Sequence, residues 1–389
     1  MDSHNQLALN LFLLFTGQHA EEDLIMGTEC LKIGLRTIYN GTGGGTRTQL
    51  NRKQFTAKFA SHPSLVPPPS SIFFLLRDDS GEIKQQYRRR FIEKYTRSFW
   101  YPNIPCMKTD RIKAVSIINR WVEKETNGHI QRIAYDDTVN LYKRGIMTMV
   151  ITSQFSGSWE YPFIDITKKV SFHRSSSSTV DIDMMFNTFD EYALVNLRLE
   201  EMYKATVVKF PYVNKLGAMV IIMPIVPANK SIFSSILQRL QLEELFSCFE
   251  KVRCSSQSIP KFNTETKINL NEAMGLHDTL KELIAEKVDF SNILDGSNPI
   301  KRINFQLLTT FTNTECGPDV VSRMEMDLIV DNVNKERIIC LDRPFLYFIV
   351  SPENYIFSIG IFAGGGSAAK IRTTHQLLKG NNVNDPLSY

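Results

Sequence analysis

The hydrophobic pattern of this chain changes period several times along its length. From Leu7 to Phe15 the apolar positions predict a helix, amphipathic or buried. Ile33 to Tyr39 predicts a second helix. The run Asn40-Gly41-Thr42-Gly43-Gly44-Gly45 reads as its stop, followed by a turn. That run lacks the GKS or GKT ending of a phosphate loop and the third glycine of GxGxxG, so it carries no nucleotide-binding prediction. After the break Pro67-Pro68-Pro69-Ser70-Ser71, Ile72 to Leu76 reads as a short apolar helical turn. Lys84 to Trp100 predicts a helix whose Tyr87, Phe91, Tyr95 and Phe99 form one aromatic stripe at four-residue spacing. Arg88, Arg89, Arg90, Lys94 and Arg97 lie largely off that stripe.

The middle of the chain switches to strand patterns rich in β-branched and aromatic residues: Met147 to Phe155, Val170 to His173, Val207 to Tyr212 and Met219 to Pro224. Helical patterns return at Ile232 to Phe249 and Ala273 to Glu286. Strands follow at Arg302 to Thr312 and Pro344 to Phe362. Helices followed by interleaved strands and helices predict an α+β architecture. Between the last two strand regions, Val320, Ser322, Met324, Met326, Leu328 and Val330 alternate with Val321, Arg323, Glu325, Asp327 and Ile329. One face is mostly apolar and the other mostly charged, as in a strand. Yet Pro318 and Asp319 open the stretch, and Asp331 to Arg337 closes it with turn-like and charged residues.

Composition changes this picture little. The 389 residues are 43% hydrophobic and 22% charged, with a net charge of +4, as in an ordinary globular protein, and nothing demands a nucleic-acid partner. No apolar run is long enough to span a membrane. Leu7 to Phe15, followed by His19-Ala20, resembles the apolar region of a secretory signal, but no Lys or Arg precedes it and Asp2 is acidic, so a first helix is the favoured reading and a signal the alternative. The sequons Asn40-Gly41-Thr42 and Asn229-Lys230-Ser231 have meaning only in a secreted chain. The six cysteines and seven histidines show no metal-ligand spacing, so reduced or buried thiols are expected, with a disulfide as the alternative, and no metal site. There is no G-x-S-x-G elbow and no HExxH, so the chain carries no legible catalytic constellation. One electrostatic asymmetry stands out: Lys84 to Lys113 is net +7, which leaves −3 for the remainder.

Several segments, in order, carry a family resemblance. Asn119-Arg120-Trp121-Val122-Glu123-Lys124-Glu125-Thr126-Asn127-Gly128 resembles the N-x-W-V-x-x-x-T-x-G segment of serpins. Phe155 to Phe163 resembles that family's F-K-G-x-W-x-x-P-F, and Thr179 to Met185 its T-V-x-V-x-M-M. Phe210-Pro211-Tyr212 and Met219 to Pro224 resemble its paired strands, and Pro260-Lys261-Phe262 its L-P-K-F. Arg343-Pro344-Phe345 and Phe357-Ser358-Ile359-Gly360 resemble its C-terminal strands. The resemblance implies a serpin fold over residues 1–363 as one domain: three β-sheets with eight to nine helices and an exposed reactive-centre loop at about 315–343. A flexible tail, 364–389, is expected to follow.

The implied activity is suicide inhibition of a serine protease, or of a cysteine protease. The protease cuts the loop, and the loop then inserts as a new central strand of the main sheet. The chain would be a pseudo-substrate and not an enzyme, would need no cofactor, and would act as a monomer. Family resemblance points to the extracellular space; the missing signal points to the cytosol or unconventional release. Alignment places the hinge at Glu315, Gly317, Pro318, Asp319, Val320, Val321 and Ser322. It places the reactive bond among Val330, Asp331, Asn332 and Val333, and the breach tryptophan at Trp159. Arg88, Arg89, Arg90, Lys94 and Arg97 are candidates for binding a heparin-like polyanion, with a solvated helix face as the alternative.

The departures from the family matter as much. Inhibitory members prefer small hinge residues, whereas Pro318 has no N–H and Val320 and Val321 are bulky. These leave a non-inhibitory binding protein as the alternative. Gly27-Thr28-Glu29-Cys30-Leu31 replaces S-P-x-S-I. Ile151 and Leu307 replace the asparagine and histidine of a polar network that controls sheet opening. Ahead of Asn119 no strand with the A-N-x-L-F pattern is legible, so that strand is expected to be either rewritten or missing.

Overall fold

A computed structural model describes residues 2–16, 23–55, 70–77, 82–89, 98–100, 103–104, 110–125, 128, 131–132, 146–155, 157–163, 166–187, 192–285, 288–295, 300, 302–315 and 337–365. Two sheets dominate. The larger runs in the order Leu24–Gly27 (β1), Ile356–Phe362 (β18), Phe345–Val350 (β17), Ala218–Pro224 (β11), Ala205–Pro211 (β10), Tyr192–Val195 (β9), Glu250–Pro260 (β12), Ser178–Asn187 (β8) and Ile166–Ser175 (β7), with Arg337–Cys340 (β16) pairing with β12. The second runs Phe262–Asn269 (β13), Arg302–Asn313 (β15), Ile146–Gln154 (β6), Ser70–Arg77 (β2) and Ser98–Trp100 (β4), with Asn103–Ile104 (β5) on β2. Glu82–Ile83 (β3) and Leu294–Asp295 (β14) form a small third ladder.

Strand alternation divides the interior into two apolar clusters. On β11, Ala218, Val220 and Ile222 face one cluster, while Met219, Ile221 and Met223 face the other. All seven residues of β11 are buried, which is why its sequence reads as a continuous apolar run. The first cluster takes in helices α1 (Asp2–Thr16) and α2 (Thr28–Gly41). Asn5 fixes α1: its side chain donates to Asn354 O at 2.8 Å and accepts from Ile356 N at 3.0 Å, at the start of β18.

α2 is buried nearly all round and presses on the second sheet at Gly34. A Cβ there would lie 2.0 Å from Ile151 Cδ1 and 2.7 Å from Phe305 Cζ, so only glycine permits this approach.

The structure corrects the sequence reading in five places. Ala273 to Glu286 is not one helix: a helix ends at Leu276 and a 3₁₀ turn follows at Leu280–Leu283. Ile72 to Leu76 is not a helical turn; it is part of β2, antiparallel to β6 and parallel to β4. A short, continuous apolar run has no period that separates helix from strand, and the ladder decides it. A strand ahead of Asn119 is therefore present but rewritten as SSIFFLLR. The glycine run does not end in a turn, because a new helix, α3, begins at Gly44 and runs to Arg52. Lys84 to Trp100 is not one helix: among the described residues a helical turn at Gln85–Tyr87 continues through Arg88 and Arg89, Ser98–Trp100 is strand β4, and residues 90–97 lie outside the described residues. Ile232 to Phe249 is two helices, Lys230–Arg239 and Leu242–Ser247, broken where Leu240 adopts an extended backbone.

Candidate functional site

The site grows from the end of β15. Asn313, fully buried, donates to Pro260 O at 2.7 Å and anchors that end to the adjoining strands. The next two residues are fastened from three directions. Trp159 Nε1 donates to Thr314 O at 3.1 Å, and Phe163 N donates to Glu315 O at 2.8 Å. The Glu315 carboxylate accepts from Lys261 Nζ at 2.8 Å and from Thr167 Oγ1 at 3.0 Å. Partial burial opposes the charged form of Glu315. The hydrogen bonds from Lys261 and Thr167 prevail and hold its carboxyl below the ordinary value.

Trp159 owes its position to an aromatic cluster. It stacks on Tyr212 at 4.8 Å between centroids and meets Phe163 and Phe210 edge-on at 6.1 and 6.0 Å. Its backbone forms an isolated antiparallel bridge with Tyr212. The ring is 2% exposed, so the indole N–H must find a partner, and Thr314 O supplies it.

At Glu315 the described chain breaks off and resumes at β16, in the other sheet. Arg337 opens β16 with an ion pair to Glu200 at 2.6 Å. Glu315 and Arg337, the described residues on either side of 316–336, are thus held on different sheets. Gly317, Pro318, Asp319, Val320, Val321 and Ser322, and Val330, Asp331, Asn332 and Val333, all lie outside the described residues, as do Arg90, Lys94 and Arg97. Arg88 and Arg89 are exposed next to the turn at Gln85–Tyr87.

Beneath the site, β15 and β6 pair in parallel from Arg302↔Ile146 to Thr310↔Gln154. Their outer neighbours β13 and β2 are antiparallel to them. Ile151 and Leu307 face each other across the parallel ladder, both fully buried. The polar pair expected there by family is therefore an apolar contact, packed over Gly34. The polar bonds that tie this region together come from threonine and cysteine. Thr309 Oγ1 accepts from Gly27 N at 2.9 Å and Thr266 Oγ1 from Ile25 N at 2.9 Å. Cys30 Sγ donates to Thr152 O at 3.4 Å.

Alignment by motif finds Trp159 and Glu315 but not Thr167, Thr266, Thr309 or a role for Lys261. A hydroxyl that bonds a backbone group across 241 or 282 residues of sequence leaves no local pattern. Among the described residues no group of three or more His, Cys, Asp or Glu is placed to hold a metal, and no helix is long and apolar enough to cross a membrane.

The comparisons agree with this architecture. A serpin-like protein of Methanosarcina acetivorans is 28% identical over 238 residues, 60% of this chain; the chain spans 53%, about half, of that relative's length. Serpin48 of the insect Tenebrio molitor superposes with a TM-score of 0.75 at 14% identity, covering 94% of this chain and 98% of that one. Thyroxine-binding globulin, solved in complex with thyroxine, superposes with a TM-score of 0.72 at 16% identity over 94% of this chain and 99% of its own. At such identities these structures bear on the fold alone. The serpin (serine protease inhibitor) family profile matches residues 2–363, and the chain belongs to that family.

Proposed function

We propose that the chain inhibits a serine-type protease as a suicide substrate, its loop inserting into the second sheet after cleavage. The observation that carries this reading is the parallel β15–β6 ladder between antiparallel neighbours. A strand that turns back from Glu315 runs antiparallel to both β15 and β6. It would replace one parallel ladder by two antiparallel ones, the better-bonded arrangement per residue. The floor of the gap is apolar: Met147, Met149 and Ile151 of β6 and Ile303, Phe305 and Leu307 of β15 belong to the cluster that contains α2. Val320, Ser322, Met324, Met326, Leu328 and Val330 supply a matching, mostly apolar face at strand spacing.

Pro318, Val320 and Val321 favour a second reading, a serpin-fold binding protein whose loop is cut without trapping the protease. The relative solved with thyroxine makes such a use of the fold concrete. The two readings part on loop cleavage. Limited proteolysis between residues 316 and 336 raises the melting temperature if the loop inserts. An unchanged melting temperature of the cleaved chain contradicts insertion.

The basic stretch from Lys84 to Lys113 extends the proposal to a heparin-like partner. The triple variant Arg88→Ala/Arg89→Ala/Arg90→Ala is expected to elute from a heparin column at lower salt than wild type; unchanged elution leaves a solvated face.

A further inference from the structure

Near one end of β9 three cations share a face of the large sheet with apolar and aromatic side chains. β12 and β9 pair at Lys251↔Leu194 and Arg253↔Tyr192, and β9 and β10 pair at Lys209↔Leu194. Opposed residues of paired strands point the same way, as do alternate residues of one strand, so Lys209, Leu194, Lys251, Tyr192 and Arg253 lie on one face. Phe249 is on that side as well: Lys209 Nζ lies 5.5 Å from its ring centroid. The opposite face carries Val252, Ala193, Val195 and Val208, which belong to or pack against the second apolar cluster.

This face is open to solvent. Tyr192, Lys251 and Arg253 are exposed, and Leu194, Lys209 and Phe249 are partly exposed. Three surface cations elsewhere are matched: Lys169 with Asp183, Arg198 with Glu244 and Lys281 with Asp278. Among the described residues none of Lys209, Lys251 and Arg253 has a carboxylate within ion-pair distance. Glu250, the acid next to Lys251 in sequence, is in register with Val195 on the other face. Half-burial without a counter-ion pushes the Lys209 pKa down, a cost that a partner's carboxylate would offset. The Cα atoms of Lys251 and Arg253 are about 7 Å apart along the strand, and those of Lys251 and Lys209 about 10 Å apart across the sheet.

We infer that this face docks an extended acidic segment of a partner protein, its carboxylates at Lys209, Lys251 and Arg253 and an apolar side chain on Leu194 and Tyr192. Along an extended segment the side chains of one face repeat every 7 Å or so, about the separation of Lys251 and Arg253. The row Lys251–Leu194–Lys209 sets an apolar residue between two cations. A sulfated polysaccharide has nothing apolar to place on Leu194 and Tyr192, so the mixed face favours a polypeptide. The face uses neither residues 316–336 nor the β15–β6 ladder, and the inference therefore holds or fails independently of protease inhibition.

Fluorescence anisotropy of the full chain with the labelled peptide Glu-Glu-Leu-Glu-Glu-Leu-Glu-Glu tests it. Saturable binding that weakens as salt is raised is expected. The neutral analogue with Gln in place of Glu is expected to bind about tenfold more weakly, and an all-Glu peptide of the same length about fivefold more weakly. Lys209→Met/Lys251→Met/Arg253→Met is expected to lower affinity by about tenfold, the combined scale of three partly exposed ion pairs. Should that variant fold poorly, Lys251→Gln/Arg253→Gln, at exposed positions, gives the same direction with a smaller loss. Lys169→Gln/Lys281→Gln removes the same charge elsewhere on the surface and is expected to bind as wild type. Absent or non-saturable binding, equal binding of either comparison peptide, wild-type affinity in the folded variants of this face, or a heparin oligosaccharide bound by this face while the peptide is not, overturns the inference.

Discussion

Asp23 shows how single groups set the energetics of this molecule. Its Oδ1 accepts from Ala363 N at 2.7 Å and from Gly365 N at 3.3 Å, fixing the chain beyond β18, while Oδ2 is buried with no partner among the described residues. Burial pushes its pKa from 3.8 to about 6, against the pull of those N–H groups and of Arg174. A raised carboxyl pKa means that the folded state holds its proton longer than the unfolded state. The stability it contributes is complete below pH 3.8 and is lost as pH rises through about 6. The full difference is about 3 kcal/mol. Asp23→Asn is expected to flatten the decline in denaturation free energy between pH 4 and 7; an unaltered slope refutes it. Trp159→Phe keeps the ring stacking but strips the N–H from Thr314 O. It is expected to cost about 1–3 kcal/mol in a denaturant titration, while Lys261→Met, which breaks a partly exposed pair, costs under about 1 kcal/mol.

At the scale of elements, the apolar strands and the first helix were legible, whereas the periodic stretch Lys84 to Trp100 and the short run SSIFFLLR were not. α1, β10, β11, β15 and β18 lie where the apolar period puts them. β2 was misread because SSIFFLLR offers no alternation; only its partner β6, far along the chain, makes it a strand. The proposed hinge presents the opposite case, in which the chemistry is plain in sequence. On insertion Pro318 would forfeit a ladder bond and the paired valines would obstruct entry. Replacing Pro318, Val320 and Val321 by Thr, Ala and Ala is expected to speed insertion. It would raise the proportion of trapped protease over cleaved chain on denaturing gels; an unchanged proportion removes the hinge as the limiting step.

At the scale of the molecule, the described residues form a large sheet buried on both faces at its centre and a second, closed sheet, with Glu315 and Arg337 each tied by an ion pair. Family membership settles the fold but leaves two uses of it, a trap and a binding protein, and the apolar Ile151–Leu307 contact bears on both. Replacing a polar pair by a packed apolar one is nearly neutral for stability, so the closed sheet can persist while its opening barrier differs from that of relatives. The proposed inhibition requires this barrier to be low enough for insertion to outrun deacylation. Incubation with a panel of serine proteases, followed by denaturing gels, is the deciding measurement. A covalent, SDS-stable complex with at least one protease is expected, its cut falling among Val330, Asp331, Asn332 and Val333. Clean cleavage in that region by every protease that cuts the loop, with no complex at any ratio, would contradict it.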